Sequence, residues 1–561
     1  MTQRENNMRT GGQLLVDALV HHGADLAFCV PGESYLAALD ALHDTPQIRL
    51  ITCRQEGGVT MMADAYAKLT GKPGIAFVTR GPGATNASPG LHVAHQDSSP
   101  MILFIGQVAR DQTEREAFQE VDYRRFLSEL TKWTGELEDA SRATEFVSHA
   151  FHTAAGGRPG PVAISLPEDM LCDHAEGALG SPFHAPDYAP VPADLERFKS
   201  MISEAQRPVM IVGGGRWSEE TGQKLSTFAE ANDIPLMTSF RCQDFVDNTG
   251  PAYAGVAGIA PDPELVASIK TADLVIVVGA RMGEMTSGRY SYLSIPRPVQ
   301  KLIHVHPDPE EIGRVYQCDL GLVATPAGFA GAVEKLLVRA DKGVAKAAHA
   351  RYMAFTEPTH MDGPVQMAEI IHHITENLPP DTVITNGGGN ATVWVHRFMR
   401  HKRYRTQLAP TSGSMGYGVP SAVAAKLVHP DRHVLSFSGD GCFMMNGQEF
   451  ATAHQYDLPI VFIVVNNSMY GTIRMHQERD YTGRIIATDL KNPNFAKLAH
   501  AYDCYGEVIE RTEDFYPALD KALASKGPSI LEIRIDPDVL SPTTTISGLV
   551  AAAEKKKAGS A

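Results

Sequence analysis

His433-Val-Leu-Ser-Phe-Ser-Gly439-Asp440-Gly441 and Pro459-Ile-Val-Phe-Ile-Val-Val465-Asn466-Asn467 are the stretches that decide the fold. Each reads as a buried strand ending in a polar turn. Asn446–Tyr456 between them has helical character. The 24 residues between Gly441 and Asn466 hold one helical crossover and one strand. That spacing predicts two adjacent parallel strands. Asp440 and Asn467 then share one carboxyl edge, where open α/β sheets bind ligands.

The residue types at that edge suit a hard cation. Mg²⁺ takes oxygen ligands and binds through one or two protein groups together with substrate phosphates. Asp440 offers a carboxylate, Asn467 an amide oxygen, and Met469 a backbone carbonyl. Gly439 and Gly441 would let the backbone approach a diphosphate, and a helix N-terminus there would favour its charge.

Outward from this stretch the same grammar recurs. Short apolar runs bounded by Gly, Pro or Asp alternate with helical patterns, as in parallel sheets covered by helices. The fold class expected is α/β, with three doubly wound, mainly parallel-sheet domains at 8–175, 192–342 and 363–540 and a tail at 541–561. Strand candidates in the first block are Ala24–Val30, the run at Leu50, Gly74–Thr79, Met101–Ile105 and Val162–Ser165. The second block has Val209–Val212, Pro235–Thr238, Leu274–Val278 and Lys301–Val305. The third has Thr382–Thr385, His433–Phe437, Ile460–Val465 and Ser529–Ile535. The linker His174–Ala193 holds four prolines, and Asp341–Gly363 is polar, as domain boundaries usually are.

Composition excludes several classes. The 561 residues carry a formal net charge of -15 without a basic stripe, which argues against nucleic acid. The one basic run, Lys555 to Lys557, reads as a solvated, frayed terminus. No apolar run approaches the ~20 residues of a membrane helix. Met1–Thr10 is polar and shows no signal peptide. Seven widely spaced cysteines without Cys-x-x-Cys suggest reduced thiols. The expectation is a cytoplasmic protein, not a membrane protein.

Gly-Asp-Gly followed at this spacing by Asn-Asn resembles the motif of the thiamine-diphosphate-dependent enzymes. Other stretches resemble the same family in the right order. Leu50-Ile-Thr-Cys-Arg-Gln-Glu56-Gly57-Gly58 sets Glu56 before the helix Val59–Lys68, where the resemblance implies a catalytic glutamate hydrogen-bonded to the aminopyrimidine ring. Burial would tune such a carboxyl for proton exchange near neutrality. Thr79-Arg-Gly-Pro-Gly-Ala-Thr-Asn86 resembles the loop after the next strand. In Ala117-Phe118-Gln119-Glu120, Gln119 would face the thiazolium. Gly387-Gly388-Gly389-Asn390 resembles a turn at the diphosphate. In Gly413-Ser414-Met415-Gly416-Tyr417-Gly418, Met415 would wedge between the cofactor rings. The resemblance implies further cofactor contacts at Pro31, Cys442, Tyr470, Gly471 and Thr472. It implies pyrimidine-binding, central and diphosphate-binding domains, thiamine diphosphate with Mg²⁺, and a homodimer or homotetramer with active sites between subunits.

Gly-Pro-Gly-Ala-Thr-Asn, Ala-Phe-Gln-Glu and Gly-Tyr-Gly-Val-Pro are most similar to the acetolactate synthase branch. That implies decarboxylation of a 2-oxo acid, pyruvate in the first instance, and carboligation of what remains. Three departures bear on this. Met285 stands where the branch carries an arginine for the acceptor carboxylate. His476 stands where it carries a tryptophan. Glu33, in Pro31-Gly32-Glu33-Ser34, replaces a small residue, and the simple 2-oxo acid decarboxylases have an aspartate there. Glu33 reads either as a catalytic acid or as a cap of the helix Tyr35–Leu42. Arg474 reads as a carboxylate holder or a surface residue. A decarboxylase or C–C lyase of the same cofactor class is the alternative function. A binding module without activity is disfavoured by the retention of Glu56. Gly213-Gly214-Gly215 makes no Gly-x-Gly-x-x-Gly, which disfavours a nicotinamide enzyme. FAD in the central block stays open.

Overall fold

The computed structural model describes residues 8–559, with side chains to 556. Residues 1–7 of the polar N-terminal stretch, residues 560–561 and the side chain of Lys557 lie outside the described residues. The chain builds three six-stranded sheets. Every strand pair within them is parallel.

The first sheet contains β1 (Leu26–Cys29), β2 (Arg49–Thr52), β3 (Gly74–Val78), β4 (Met101–Gln107), β5 (Trp133–Glu136) and β6 (Pro161–Pro167). Its order is β2-β1-β3-β4-β6-β5. The second contains β7 (Pro208–Val212), β8 (Leu236–Ser239), β9 (Tyr253–Ala257), β10 (Leu274–Val278), β11 (Lys301–His306) and β12 (Leu320–Val323). Its order is β9-β8-β7-β10-β11-β12. The third contains β13 (Val383–Asn386), β14 (Gln407–Leu408), β15 (Val434–Gly439), β16 (Val461–Asn466), β17 (Tyr505–Ile509) and β18 (Ser529–Arg534), ordered β14-β13-β15-β16-β18-β17. The first and third sheets thus repeat one topology, and the middle sheet has another. Strand order reverses at β1/β3, at β7/β10 and at β13/β15, which opens a crevice at each carboxyl edge.

Central strands are buried on both faces, which is why they read as continuous apolar runs. Within these three sheets, the strands that the hydrophobic pattern did not reveal are β5, β9, β12, β14 and β17, all at sheet edges. Several are half-exposed or only a residue pair long, so they carry little apolar signal.

Two expectations need correction. Gly439-Asp440-Gly441 is not a turn before a later helix: α3 (Asp440–Asn446) starts at Asp440 itself. A 3-10 turn, Gly447–Glu449, and the helix Phe450–Gln455 follow. The tail is not frayed over its described part. Ile546–Gly559 forms helix α5, packed against α4 (Gly471–Asp480). Its Ala and Lys residues are strong helix formers, and Thr545 Oγ1 accepts from Gly548 N at 3.0 Å to start it. Among the described residues no helix is long and apolar enough to cross a membrane.

The chain forms two compact units. One holds the first sheet, with residues 423–428 and 448–452 added. Within it, α1 (Glu56–Thr70) packs on α2 (Pro82–Asp97), and Thr60 Oγ1 donates to Ala87 O at 2.9 Å. The other unit holds the second and third sheets, tied by a buried polar seam. Asp244 accepts from Thr406 N at 3.0 Å and Gln407 N at 3.1 Å. Gln243 N donates to Gln407 Oε1 at 2.9 Å, and His401 N to Asn248 Oδ1 at 2.9 Å.

Buried ionisable groups in this unit give its stability a pH dependence. Burial holds His396 and His401 down at about 3 instead of 6.5. Burial pushes Asp244 up to about 6 from 3.8. Between these values the unfolded chain binds the protons of two histidines that the folded chain refuses. The folded chain keeps the Asp244 proton that the unfolded chain releases. The net excess of one proton in the unfolded state makes stability rise with pH, by about 1.4 kcal/mol per unit from roughly pH 4 to 6. His401→Asn is expected to remove about that much of the slope, checked by urea unfolding across this range. An unchanged slope would contradict a neutral buried His401.

Candidate active site

The crevice of the third sheet is built by backbone packing. After β13, Gly387–Asn390 runs against the segment from Gly413 to Gly416. A Cβ on Gly388 would stand 2.2 Å from Gly413 O, so the two backbones touch. Cys442, buried in α3, accepts from Gly416 N through Sγ at 3.2 Å. A Cβ on Gly387 would meet that sulfur at 2.5 Å. Arg241, from the loop after β8, donates to Gly387 O at 3.3 Å and Thr392 Oγ1 at 3.1 Å.

β15 and β16 are paired in register, with Gly439 opposite Val465. Asp440 follows the first and Asn467 the second, as their spacing implied. Asp440 Oδ1 accepts from Gly441 N at 2.9 Å, and Oδ2 accepts from Asn492 Nδ2 at 2.7 Å. Burial pushes the Asp440 carboxyl up, and the Gly441 and Asn492 contacts pull it back. The two asparagines of Asn466-Asn467 do different work. Asn466 Nδ2 donates at 2.9 Å to Glu532, a fully buried acid of β18 that also accepts from Phe495 N at 2.8 Å. Asn467 Oδ1 accepts from Met469 N at 3.3 Å and lines the crevice. Thr472 Oγ1 donates to Asn390 Oδ1 at 2.8 Å, joining α4 to the loop after β13.

These segments enclose a cavity of about 230 Å³. Gly389, Asn390, Gly413, Met415, Gly439, Asp440, Gly441, Cys442, Asn467, Met469, Tyr470, Gly471 and Thr472 all line it. Trp394, Ile473, Ile535 and Leu540 also line it and were not foreseen. Nor was Asn492, whose only sequence signal is an amide before Pro493. The cavity is smaller than the ~300–1,000 Å³ of sites for drug-sized ligands. Its size suits a diphosphate and a metal better than a whole cofactor. The residues fit that load. The donors are oxygens, as Mg²⁺ requires. Gly413, at φ 68, would meet nothing within 4 Å if it carried a Cβ, so this backbone is open to the cavity.

In the first sheet the edge carries a second cluster. Glu56 is the first residue of α1, and the Gln55 side chain caps that helix by accepting from Gly58 N at 3.0 Å. Asn86 Nδ2 donates to Glu56 Oε2 at 3.0 Å, orienting the carboxylate. Pro31 and Gly32 follow β1, and a Cβ on Gly32 would strike Thr79 at 2.3 Å. Gln119, at φ 66, lies against Gly81, whose own added Cβ would be 2.7 Å from Gln119 Cβ.

Glu33 does not cap a helix. It opens a 3-10 turn, makes no capping hydrogen bond, and pairs with Arg80 at 3.4 Å. Arg80, nearly buried, also binds Glu168 at 2.7 Å. Arg474 is not a free surface residue either, since it pairs at 3.0 Å with the buried Glu478 of the same helix. Met285 is half-buried and His476 is exposed. In the second sheet, a Cβ on Gly213 would stand 1.8 Å from Ser239 Oγ and one on Gly214 2.0 Å from Gly279 O. Close packing accounts for these glycines, so they are no argument for a flavin.

Comparison with known proteins agrees with this geometry. Residues 9–126 match the N-terminal TPP binding domain of thiamine pyrophosphate enzymes, 195–333 the central domain, and 387–533 the C-terminal TPP binding domain. An acetolactate synthase large subunit of Parasynechococcus marenigrum (strain WH8102) is 31% identical over 94% of this chain and 87% of its own length. The acetolactate synthase isozyme 2 large subunit of Escherichia coli (strain K12) is 31% identical over 94% of this chain and 95% of its own. A probable acetolactate synthase large subunit of Methanocaldococcus jannaschii is 29% identical over 96% and 94%. The three-sheet fold, the cavity at the third sheet's strand reversal and these matches place the chain in the thiamine pyrophosphate enzyme family.

Proposed function

We propose that this enzyme uses thiamine diphosphate and Mg²⁺ to decarboxylate a 2-oxo acid, pyruvate in the first instance, and to join the remaining fragment to a second carbonyl compound, as an acetolactate synthase does. The observation that carries the reading is the cavity where Asp440, Asn467 and the Met469 backbone meet open glycine backbone at a strand reversal. Asp440, Asn467 and the Met469 carbonyl would hold Mg²⁺. Gly389, Gly413 and the α3 N-terminus would receive the diphosphate, and Met415 would pack on the cofactor body. When bound, thiamine diphosphate supplies the nucleophilic carbon and the electron sink.

The chain's own residues divide the remaining work. Glu56, aimed by Asn86, would hold and move a proton at the pyrimidine ring. Gln119 would orient the reacting carbonyl oxygen. Pro31 would shape the wall beside the pyrimidine. We infer a homodimer or homotetramer in which Glu56 of one copy serves the cavity of another. Exposed Met444 and Met445 on α3 support a covered face there. Seven free cysteines support a reducing compartment, the cytoplasm.

A second reading, decarboxylase or C–C lyase, is favoured by the exposed acid Glu33 in the segment after β1. An acid there would hand a proton to the product carbon and release an aldehyde. Met285 and His476 favour it too, since neither offers a bidentate grip on an acceptor carboxylate.

Proton NMR of the products from pyruvate separates the two: acetolactate supports the synthase, acetaldehyde the decarboxylase, and no turnover by the loaded enzyme removes pyruvate as donor. Glu56→Gln is expected to lower kcat by roughly 10²–10⁴-fold with cofactor still bound. Full turnover in that variant would end the proton-transfer role. Asp440→Ala, or chelation of the metal, is expected to abolish tight cofactor binding in calorimetric titration. Unchanged Mg²⁺-dependent binding would remove Asp440 from the metal site.

A further inference from the structure

We propose that Glu449 is a positioning residue for Glu56: its buried carboxylate clamps the backbone of the turn from which Glu56 projects. The inference rests on the reading of Glu56 as the proton-handling group.

Glu449 closes the 3-10 turn after α3, and residues 448–452 pack within the unit built on the first sheet. Its side chain has no exposure to solvent. Oε1 accepts from Arg54 N at 3.0 Å and from Gln55 N at 2.9 Å. Oε2 accepts from Thr452 Oγ1 at 2.5 Å. Charge-assisted contacts of this kind are roughly twice as strong as neutral ones.

The two amides held are informative. Arg54 N lies in the turn before α1, and Gln55 N belongs to the N-cap residue of that helix. The helix is capped separately, by the Gln55 side chain. Glu449 therefore holds the turn and the N-cap residue of α1 together. The turn is built around it: a Cβ on Gly58 would stand 2.7 Å from Glu449 Oε1. Gly58 thus admits the carboxylate to a place that any larger residue would close. Glu56 is then restrained twice. Asn86 aims its carboxylate, and Glu449 fixes the backbone immediately before it. Burial pushes the Glu449 carboxyl up, while Thr452 and the two amides pull it down. These contacts reward the charged form in a place where an unpaired charge would be costly.

The test compares Glu449→Gln with Glu56→Gln by two readouts. In the cofactor-free protein, amide hydrogen exchange is followed in the peptide that contains Arg54 and Gln55. In the holoenzyme, deuterium exchange at the thiazolium C2 of bound thiamine diphosphate is followed by acid quench and proton NMR. Glu449→Gln keeps the shape and loses the charge. It is expected to speed exchange at the two amides and to slow C2 exchange by on the order of tenfold, since small misplacements cost large factors. Glu56→Gln is expected to leave the amides protected and to stop C2 exchange. Wild-type behaviour of Glu449→Gln in both readouts would overturn the inference. Faster amide exchange with an unchanged C2 rate would also overturn it, leaving Glu449 a structural cap. Full C2 exchange in Glu56→Gln would instead sink the reading of Glu56, whatever Glu449 does. Should Glu449→Gln not fold, Thr452→Val removes only the hydroxyl donor to Oε2. A smaller loss in the same direction supports the clamp, and no change refutes it.

Discussion

The parallel register of β15 and β16 is the constraint on which the third sheet's crevice depends. Because Gly439 lies opposite Val465, the chain leaves both strands at the same level. Asp440 and the Asn466-Asn467 pair therefore stand side by side at one carboxyl edge. A register slip of one residue would turn every side chain of β16 to the opposite face, break its packing on both sides and carry Asn467 away from Asp440. Strand order also reverses between β13 and β15. That reversal sends neighbouring crossovers to opposite faces and leaves the gap that the Gly387–Asn390 loop lines.

Buried carboxylates recur as the means of holding loops and the start of an edge strand. Asp244 takes the amides of Thr406 and Gln407, Glu449 those of Arg54 and Gln55, and Glu532 that of Phe495. Each acid is nearly or fully buried. A buried charge is costly unless its oxygens are satisfied, and backbone amides satisfy them in fixed directions. The same cost makes these positions intolerant of error: a displaced loop leaves both the acid and the amides without partners. Loops around a cofactor crevice need that intolerance, since regular structure ends where the crevice begins.

Two arginines, one in each compact unit, are already engaged by carboxylates. Arg80 is neutralised between Glu33 and Glu168, and Arg474 by Glu478. Neither presents an unpaired guanidinium to a second carboxylate. Glu33 itself remains largely exposed on its own unit, held by one 3.4 Å contact. None of these residues lines the cavity of the third sheet.

The sequence by itself determined the central strands and the edge at which Asp440 and Asn467 stand. Strands buried on both faces must be apolar throughout, so β3, β4, β10, β15 and β16 could be read directly. Asp440 and Asn467 follow β15 and β16 by one position, and short spacing fixes them without any knowledge of packing. Edge strands such as β5 and β17 escaped because half-exposed segments carry no unbroken apolar run. Only the tertiary structure decided the long-range partners. Glu449 beneath Arg54 and Gln55, Arg80 between Glu33 and Glu168, Asn492 on Asp440 and Arg241 on Gly387 join residues far apart in the chain. Hydrogen bonds of this kind leave no periodicity behind. Their partners are set by where loops meet in space, and a single charged or amide residue in a loop looks the same whether it faces water or a buried amide.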